Sequence, residues 1–423
     1  MNELKLMRFK NQLSTKDQMR IRVFQGLRPT PASVAEVVSL PYDVVSTAEA
    51  RAMAEGKPNN MLRVVRAEIN FAEGMDPYAD AVYEKAVERF EAMQAAGALV
   101  RETAPCLYIY QQQMGDHIQR GITALCHVED YEQDLIKKHE RTRVAKENDR
   151  TRLTADMSAN AGPVFLTFKQ NQLIDSLVTG ATQSEPLFDH LAEDGIRHTV
   201  WRLLDADPVV EAFKEIPCCY VADGHHRAAS AARVGKERRA ANPSHTGEED
   251  YNWFMTVLFP ANQLQILPYN RLVNNLNGYS VEAFLLALKK IAEVTLTILQ
   301  KPSKPGEVCC YLKGQWYHLK LPEPVDSDPV SRLDVSVLQE QILAPLLGIA
   351  DPRTNEDIEF VGGIRGTQYL QDAVDSGEAA IAFSMYPVLI EQLMDIADAG
   401  QVMAPKSTWF EPKLRSGFFI HTF

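Results

Sequence analysis

The sequence predicts a mixed α/β protein of the α+β kind, in two domains. Three observations carry this reading. The chain has 423 residues, more than one hydrophobic core usually organises. Apolar runs with strand character alternate with helical patterns, without strict regularity, up to about Pro260. Past Pro268 a second alternation begins. The Pro and Asn punctuation between them divides the chain into a first domain, 1–265, and a second, 266–423.

The elements follow in order. "IRVFQGLRPTP" reads as a strand from Ile21 to Phe24 that runs into a loop holding Arg28 before Pro29. In "VVSLPYDVVS" Pro41 breaks a short apolar run, so Tyr42 and Asp43 lie where the chain turns. Ser46 or Thr47 caps a helix from about Ala48, with Glu49 in its first turn. Asn59 and Asn60 mark another turn. Ala79, Val82, Tyr83, Ala86, Phe90 and Met93 recur at helical spacing, and Gly97 ends that helix. "CLYIYQQQM" and "IQRGITALCHVEDY" read as two strands joined at Gly115–Asp116. The polar stretch "YEQDLIKKHERTRVAKENDRTRLTADMSANAG" is largely helical by propensity. "PVFLTF", "HTVWRLLD" and "WFMTVLFP" are short strands, and "CCYVADGHHR" is a strand end feeding the helix "AASAARVGKERRAA". The second domain offers the helix "VEAFLLALKKIAEV", the strand pair "EVCCYLKGQWYHLKL" and a helix around "VSVLQEQIL". The turn "VGGIRG" and the helix "VLIEQLMDIADAG" complete it.

Composition narrows the function. A net charge of −12 argues against sequence-independent binding of nucleic acid, which needs a cationic face. The six cysteines include no CxxC spacing and read as reduced, buried residues. The polar start "MNELKLMRFKNQLSTKDQ" lacks an apolar signal core, and no run approaches a membrane span of roughly 20 apolar residues. The expected setting is the cytoplasm, without a membrane partner; a homo-oligomer is left open. Walker A, GxSxG and HExxH signatures are absent.

Three polar stretches remain. In "YVADGHHRAAS" Gly224 permits a tight turn, which delivers His225, His226 and Arg227 to a helix N-terminus where anions are favoured. Arg227 adds a bidentate grip for phosphate, and Asp223 is a candidate to hold Mg²⁺ or take a proton. Ligation of a metal by both adjacent histidines is geometrically awkward, because neighbouring side chains diverge. The residues alone leave phosphate binding, a metal and a purely structural turn as alternatives. In "KKHERTRVAKENDR" His139 and Glu140 form a possible acid/base pair beside Thr142, against the alternative of a solvated, salt-bridged helix. "MAPKSTWFEPKLRSG", 403–417, is a cationic, proline-stiffened tail suited to anchoring something anionic, or an ordinary surface loop.

"FQGLRP", "LPYDVVS", "YIYQQ", "RGITALCHVEDY", "KKHERTRVAKENDR", "ANAGPVF", "YVADGHHRAASA" and "MAPKSTWFEPKLRSG" occur in this order, and together they resemble the DUF1015 family. The turn is also similar to the arginine box of the ParB/sulfiredoxin-like superfamily, with His-His where partition proteins carry Glu-Arg. That resemblance implies a ParB-like N-terminal core with a C-terminal α+β region whose tail returns to the site. It implies a nucleotide-dependent phosphotransferase acting on a small hydroxyl metabolite, with free L-serine first, using Mg²⁺ and ATP or ADP. A phosphoserine phosphatase and a non-catalytic nucleotide-binding module are the alternatives. On this reading Gly224, His226, Arg227, Lys406, Ser407, Thr408 and Lys413 hold phosphates, while Asp223 or Glu140 holds Mg²⁺. Glu140 or His225 takes the acceptor's proton, with His139 a second candidate, and Arg28, Tyr42, Asp43, Asn60 and Thr142 line the substrate.

Overall fold

The alternating runs flanking Gly115 fold into the expected hairpin, Leu107–Met114 paired antiparallel with His117–His127. Gly115 takes a φ of 58° at its turn, a conformation glycine adopts without strain. The structure, a computed structural model, describes residues 18–324, 326, 328–404 and 406–423. Most of the polar N-terminal stretch and Pro405 of the cationic tail lie outside the described residues. The fold is mixed α/β, with several sheets and helices. The chain groups into two units, one running to Leu264 and taking in Pro412–Phe423, the other Gln265–Glu411.

In the first unit the hairpin sits inside a nine-stranded sheet. From edge to edge its path is Ile136–Lys137, Cys219–Asp223, Val164–Phe168, Trp253–Pro260, His117–His127, Leu107–Met114, Arg197–Leu203 and Phe188–Leu191. Ile21–Arg22 pairs beside the far end of His117–His127. Two pairings are parallel, Cys219–Asp223 with Ile136–Lys137 and Trp253–Pro260 with Val164–Phe168. One face packs Ile109, Ile122, Leu166, Val221 and Leu258 into a core with Phe213 and Ala228. On the other, Tyr108 and Tyr110 meet Phe419 and Phe418 at 4.6 and 5.3 Å. The C-terminal residues are thus part of the first unit's interior.

A second cluster is helical. Asp80–Ala95 buries Val82, Tyr83, Ala86, Phe90 and Met93, at the spacing that puts them on one face. Burial of each large member stabilises the unit by roughly 1.5–3 kcal/mol. They pack with Ala50 of Thr47–Met53 and with Leu153 and Met157 of Val144–Met157. Ser46 caps Thr47–Met53 by accepting the Glu49 N–H, while Glu49 accepts the Ser46 N–H.

The polar stretch before Val144 departs from its helical propensity. Ile136–Lys137 is a strand, and His139 to Arg143 run as loop before the helix starts. Pairing of Ile136 and Lys137 with Cys219 and Tyr220 overrides the local preference.

The second unit carries a six-stranded antiparallel sheet in the order Glu293–Thr297, Gln315–Lys320, Glu307–Leu312, Ile381–Met385, Tyr269–Val273, Ile358–Gly362. Leu272, Tyr311, Trp316, Val361 and Leu370 form its core. Among the helices of the unit are Val281–Leu288, Gly366–Asp375 and Ile390–Asp398. All six cysteines are free, five of them buried. No helix among the described residues is long and apolar enough to cross a membrane.

Candidate functional site

The buried strand Cys219–Asp223 ends at Gly224, and a 17-residue helix, His225–Ala241, begins at once. Gly224 has φ 91° and no side chain caps the helix, so its first N–H groups face outward from the turn. Ala228, Ala231 and Ala232 bury the helix's inner face. Arg227 folds back over the glycine: a Cβ at position 224 would lie 3.0 Å from its guanidinium carbon. The backbone angle therefore favours glycine there, and a Cβ would require the guanidinium to give way by a few tenths of an ångström.

Arg227 donates through Nη1 to the carbonyl of Pro163. Its Nη2 is 3.5 Å from Asp223 Oδ2, while Nε and Nη2 are buried without a hydrogen bond. Asp223 Oδ1 accepts the Gly224 N–H at 2.9 Å. Lys413 Nζ, from the C-terminal segment, lies 3.7 Å from Asp223 Oδ2. Burial works against the ionised form of Asp223, but Lys413, Arg227 and the Gly224 N–H outweigh it and hold the carboxyl below its ordinary value.

The histidines are kept neutral. His139 and His225 are buried and meet edge to face, with centroids 4.6 Å apart. Burial depresses His139 to about 4, against the opposing field of Asp223 and the nearby Val221 backbone. That backbone contact falls short of hydrogen-bond geometry, and neither ring nitrogen of His139 has a partner. His225 is driven well below its ordinary value by burial and by His139. Its Nδ1 is 3.8 Å from Glu140 Oε2, while Nε2 is buried with no hydrogen bond. His226 accepts the Arg143 N–H on Nε2 at 3.0 Å. It is lowered by burial and supported by the charge of Asp43.

Beside the turn is a cavity of about 40 Å³, lined among others by Tyr42, Arg150, Asn160, Gly162, Arg227 and Ser416. Arg150 stacks 4.1 Å over the Tyr42 ring and holds Asp149 Oδ2 through Nε and Nη2 at 3.0 and 2.8 Å. Burial first, then Asp43, pushes the Tyr42 hydroxyl upward, so it stays protonated. Arg150, Asn160 and Ser416 join the site without having been singled out in sequence. Arg150 and Asn160 lie inside "KKHERTRVAKENDR" and "ANAGPVF", which was the available signal.

The structure brings together Asp223, Gly224, His225, His226, Arg227, His139, Glu140, Tyr42 and Lys413, with the Asp43 charge acting on His226. Other candidates have different duties. Arg28, expected to line the substrate, is committed to Glu102, with Nε 2.7 Å from Oε2. Asn60 is buried and used up by the turn, donating to the Glu36 carbonyl and accepting the Leu62 N–H. Thr142 donates to Glu147. Lys406, Ser407 and Thr408 belong to the second unit. There Lys406 lies 5.5 Å over the Tyr269 ring and Ser407 donates to the Ala404 carbonyl.

Among the described residues no group of three or more His, Cys, Asp or Glu side chains could hold a metal by itself. The carboxylate oxygens of Asp223 and Glu140 are donors suited to a hard cation such as Mg²⁺ that takes its other ligands from elsewhere. Asp223 is ionised and its side chain is 23% exposed.

Among solved structures the chain is similar to a free serine kinase in complex with AMP, with a TM-score of 0.34 and 11% identity over 68% of this chain and 86% of that one. It is similar to a conserved hypothetical protein from Pyrococcus furiosus, with a TM-score of 0.34 and 12% identity over 70% and 94%. A third likeness is to SbnI with a C-terminal truncation from Staphylococcus aureus, with a TM-score of 0.36 and 11% identity over 69% and 84%. No curated protein matches the chain. The model described as "Protein of unknown function (DUF1015)" matches residues 21–336, most of the chain, and the chain belongs to the DUF1015 family.

Proposed function

We propose that this protein is a nucleotide-dependent phosphotransferase that phosphorylates a small hydroxyl metabolite at the Gly224 turn. One observation carries the reading. Arg227 sits at the N-terminus of a long helix with Nε and Nη2 buried and without hydrogen bonds, a polar arrangement that is costly unless an anion completes it. Arg150 and Lys413 add positive charge nearby. Free L-serine is the acceptor we favour, on the likeness of the Gly224 turn to the arginine box of the ParB/sulfiredoxin-like superfamily, whose members include free-serine kinases, with ATP or ADP as donor.

Phosphoryl transfer asks mainly for positioning and charge neutralisation. The Gly224 turn and Arg227 would hold the donor's phosphates, as helix N-termini do. Mg²⁺ carried by those phosphates would neutralise their charge, with Asp223 or Glu140 as the protein oxygens. The acceptor oxygen forms a bond to phosphorus as the bond from phosphorus to the nucleotide's bridging oxygen breaks. The hydroxyl proton goes to His225 Nε2, which is neutral and free to accept. Glu140, on the Nδ1 side of that ring, would select the tautomer that leaves Nε2 unprotonated.

The test is a phosphorus NMR time course with Mg²⁺, serine and ATP or ADP, beside a tube with phosphoserine alone. A phosphoserine signal that disappears in Arg227→Ala is the expected result. Free phosphate from phosphoserine alone would make the protein a phosphatase. No change in either tube, with nucleotide still bound, would leave a binding module.

A further inference from the structure

The first unit holds a larger cavity, about 500 Å³, away from the Arg227 turn. Ala35, Leu40, Met53, Leu62 and Leu191 supply apolar wall, and Glu36 and Arg415 polar points. The two cavities lie back to back. Ser39 and Ser416 exchange two backbone hydrogen bonds of 3.0 Å between them. Leu40 and Arg415 line the large cavity, whereas Tyr42 and Ser416 line the small one. A ligand held at Arg227 is therefore walled off here by paired backbone.

The charges select the class of occupant. Arg415 is already engaged by Asp194 and by His198, whose Nε2 it reaches at 3.2 Å. Lys57 pairs with Glu193 at 2.7 Å. Glu36 differs: its Oε1 accepts the Asn59 N–H at 2.9 Å, and among the described residues no cation pairs with it. The lining carries three carboxylates, Glu36, Glu193 and Asp194, against two cations, Lys57 and Arg415, an excess of one negative charge that disfavours phosphate. A half-open cleft of this size, with Ala35, Met53 and Leu191 on its exposed rim and a few polar groups converging on it, has the form of a small-molecule site.

We propose that this cavity is a second small-molecule site, independent of the phosphotransfer reading, for an organic ammonium compound with an apolar body. The ammonium pairs with Glu36, and the body lies against Leu40, Met53, Leu62 and Leu191.

Phenethylamine is the probe, with phenylacetate as a control of matching size and opposite charge, each titrated calorimetrically into the full chain. The amine binds, phenylacetate does not, and Glu36→Gln weakens amine binding by about tenfold or more, the loss of one charge-assisted contact. The glutamine keeps an oxygen for the Asn59 N–H. Ala35→Trp, at an exposed position on the wall, fills the space and abolishes binding while Glu36 is left in place. Pyrophosphate leaves amine binding unchanged. Absence of amine binding at millimolar concentration, equal binding of phenylacetate, or indifference to both substitutions overturns the proposal. Displacement by pyrophosphate would overturn its separateness.

Discussion

Acid should unfold the first unit in part through His139. This ring is 2% exposed, with its edge against His225. Burial holds its folded value at about 4, against an unfolded value near 6.5. The folded chain keeps the ring neutral while the unfolded chain protonates it. The stabilisation is therefore complete above pH ~6.5 and is lost as pH falls from there toward about 4. At pH ~5 the linkage amounts to about 2 kcal/mol. That is a sizeable part of the ~5–15 kcal/mol that holds a typical domain together. The assay is urea unfolding of wild type and His139→Phe at pH ~7.5 and pH ~5, following the first unit's transition. Phenylalanine keeps a ring edge on His225 and removes the His139 titration, so subtraction reports that group together with any relief it gives His225. The variant's stability relative to wild type should improve by about 2 kcal/mol on acidification. A relative change below about 0.5 kcal/mol, or an imidazole signal for His139 titrating near its ordinary value, would refute the reasoning. On the proposed phosphotransfer the same point bears on chemistry, because a charged His139 would repel a proton arriving at His225.

Three further outcomes are expected. Gly224→Ala forces a side chain into φ 91° and against the Arg227 guanidinium; it should cost about 1–3 kcal/mol and weaken nucleotide binding, read by thermal melting with and without ADP. Arg28→Met should leave nucleotide affinity unchanged yet destabilise the fold by about 3 kcal/mol, since Glu102 loses its closest cation; a loss of affinity at unchanged stability would return Arg28 to the site. Lys413→Met removes the foremost charge holding Asp223 down, so the carboxyl should titrate higher in a carbon-detected NMR titration; an unmoved value would show that Arg227 and the Gly224 N–H suffice.

What could be read from sequence was local. The hairpin at Gly115, the cap at Ser46 and the helix around Phe90 each announce themselves within a few residues, through glycine, a hydroxyl three residues before a glutamate, or helical spacing. The Gly224 turn belongs with them, since an apolar strand, a glycine and a run of alanines are contiguous. Sequence reading failed where distant residues decide. Arg28 resembles a free binding arginine until Glu102, just past the strand Leu99–Arg101, occupies it. His139 and Glu140 look helical until Ile136–Lys137 is recruited as a strand. In the second unit Ile381–Met385 is a fully buried run of five residues, too short and too uniformly apolar to show a period.

The candidate site combines both kinds of determinant. Its local part is the turn that aims Arg227. Its remote part is the Pro163 carbonyl that takes one arm of the guanidinium, the Arg150 stack on Tyr42, and Lys413 from the chain's end. Nothing near the motif specifies those partners, and they do different work from it. The turn sets where an anion would sit, whereas Lys413 and Arg150 set how much charge it meets. Substitutions in the motif should therefore alter geometry and affinity together, while substitutions in the remote set should change affinity and its salt dependence with the turn intact.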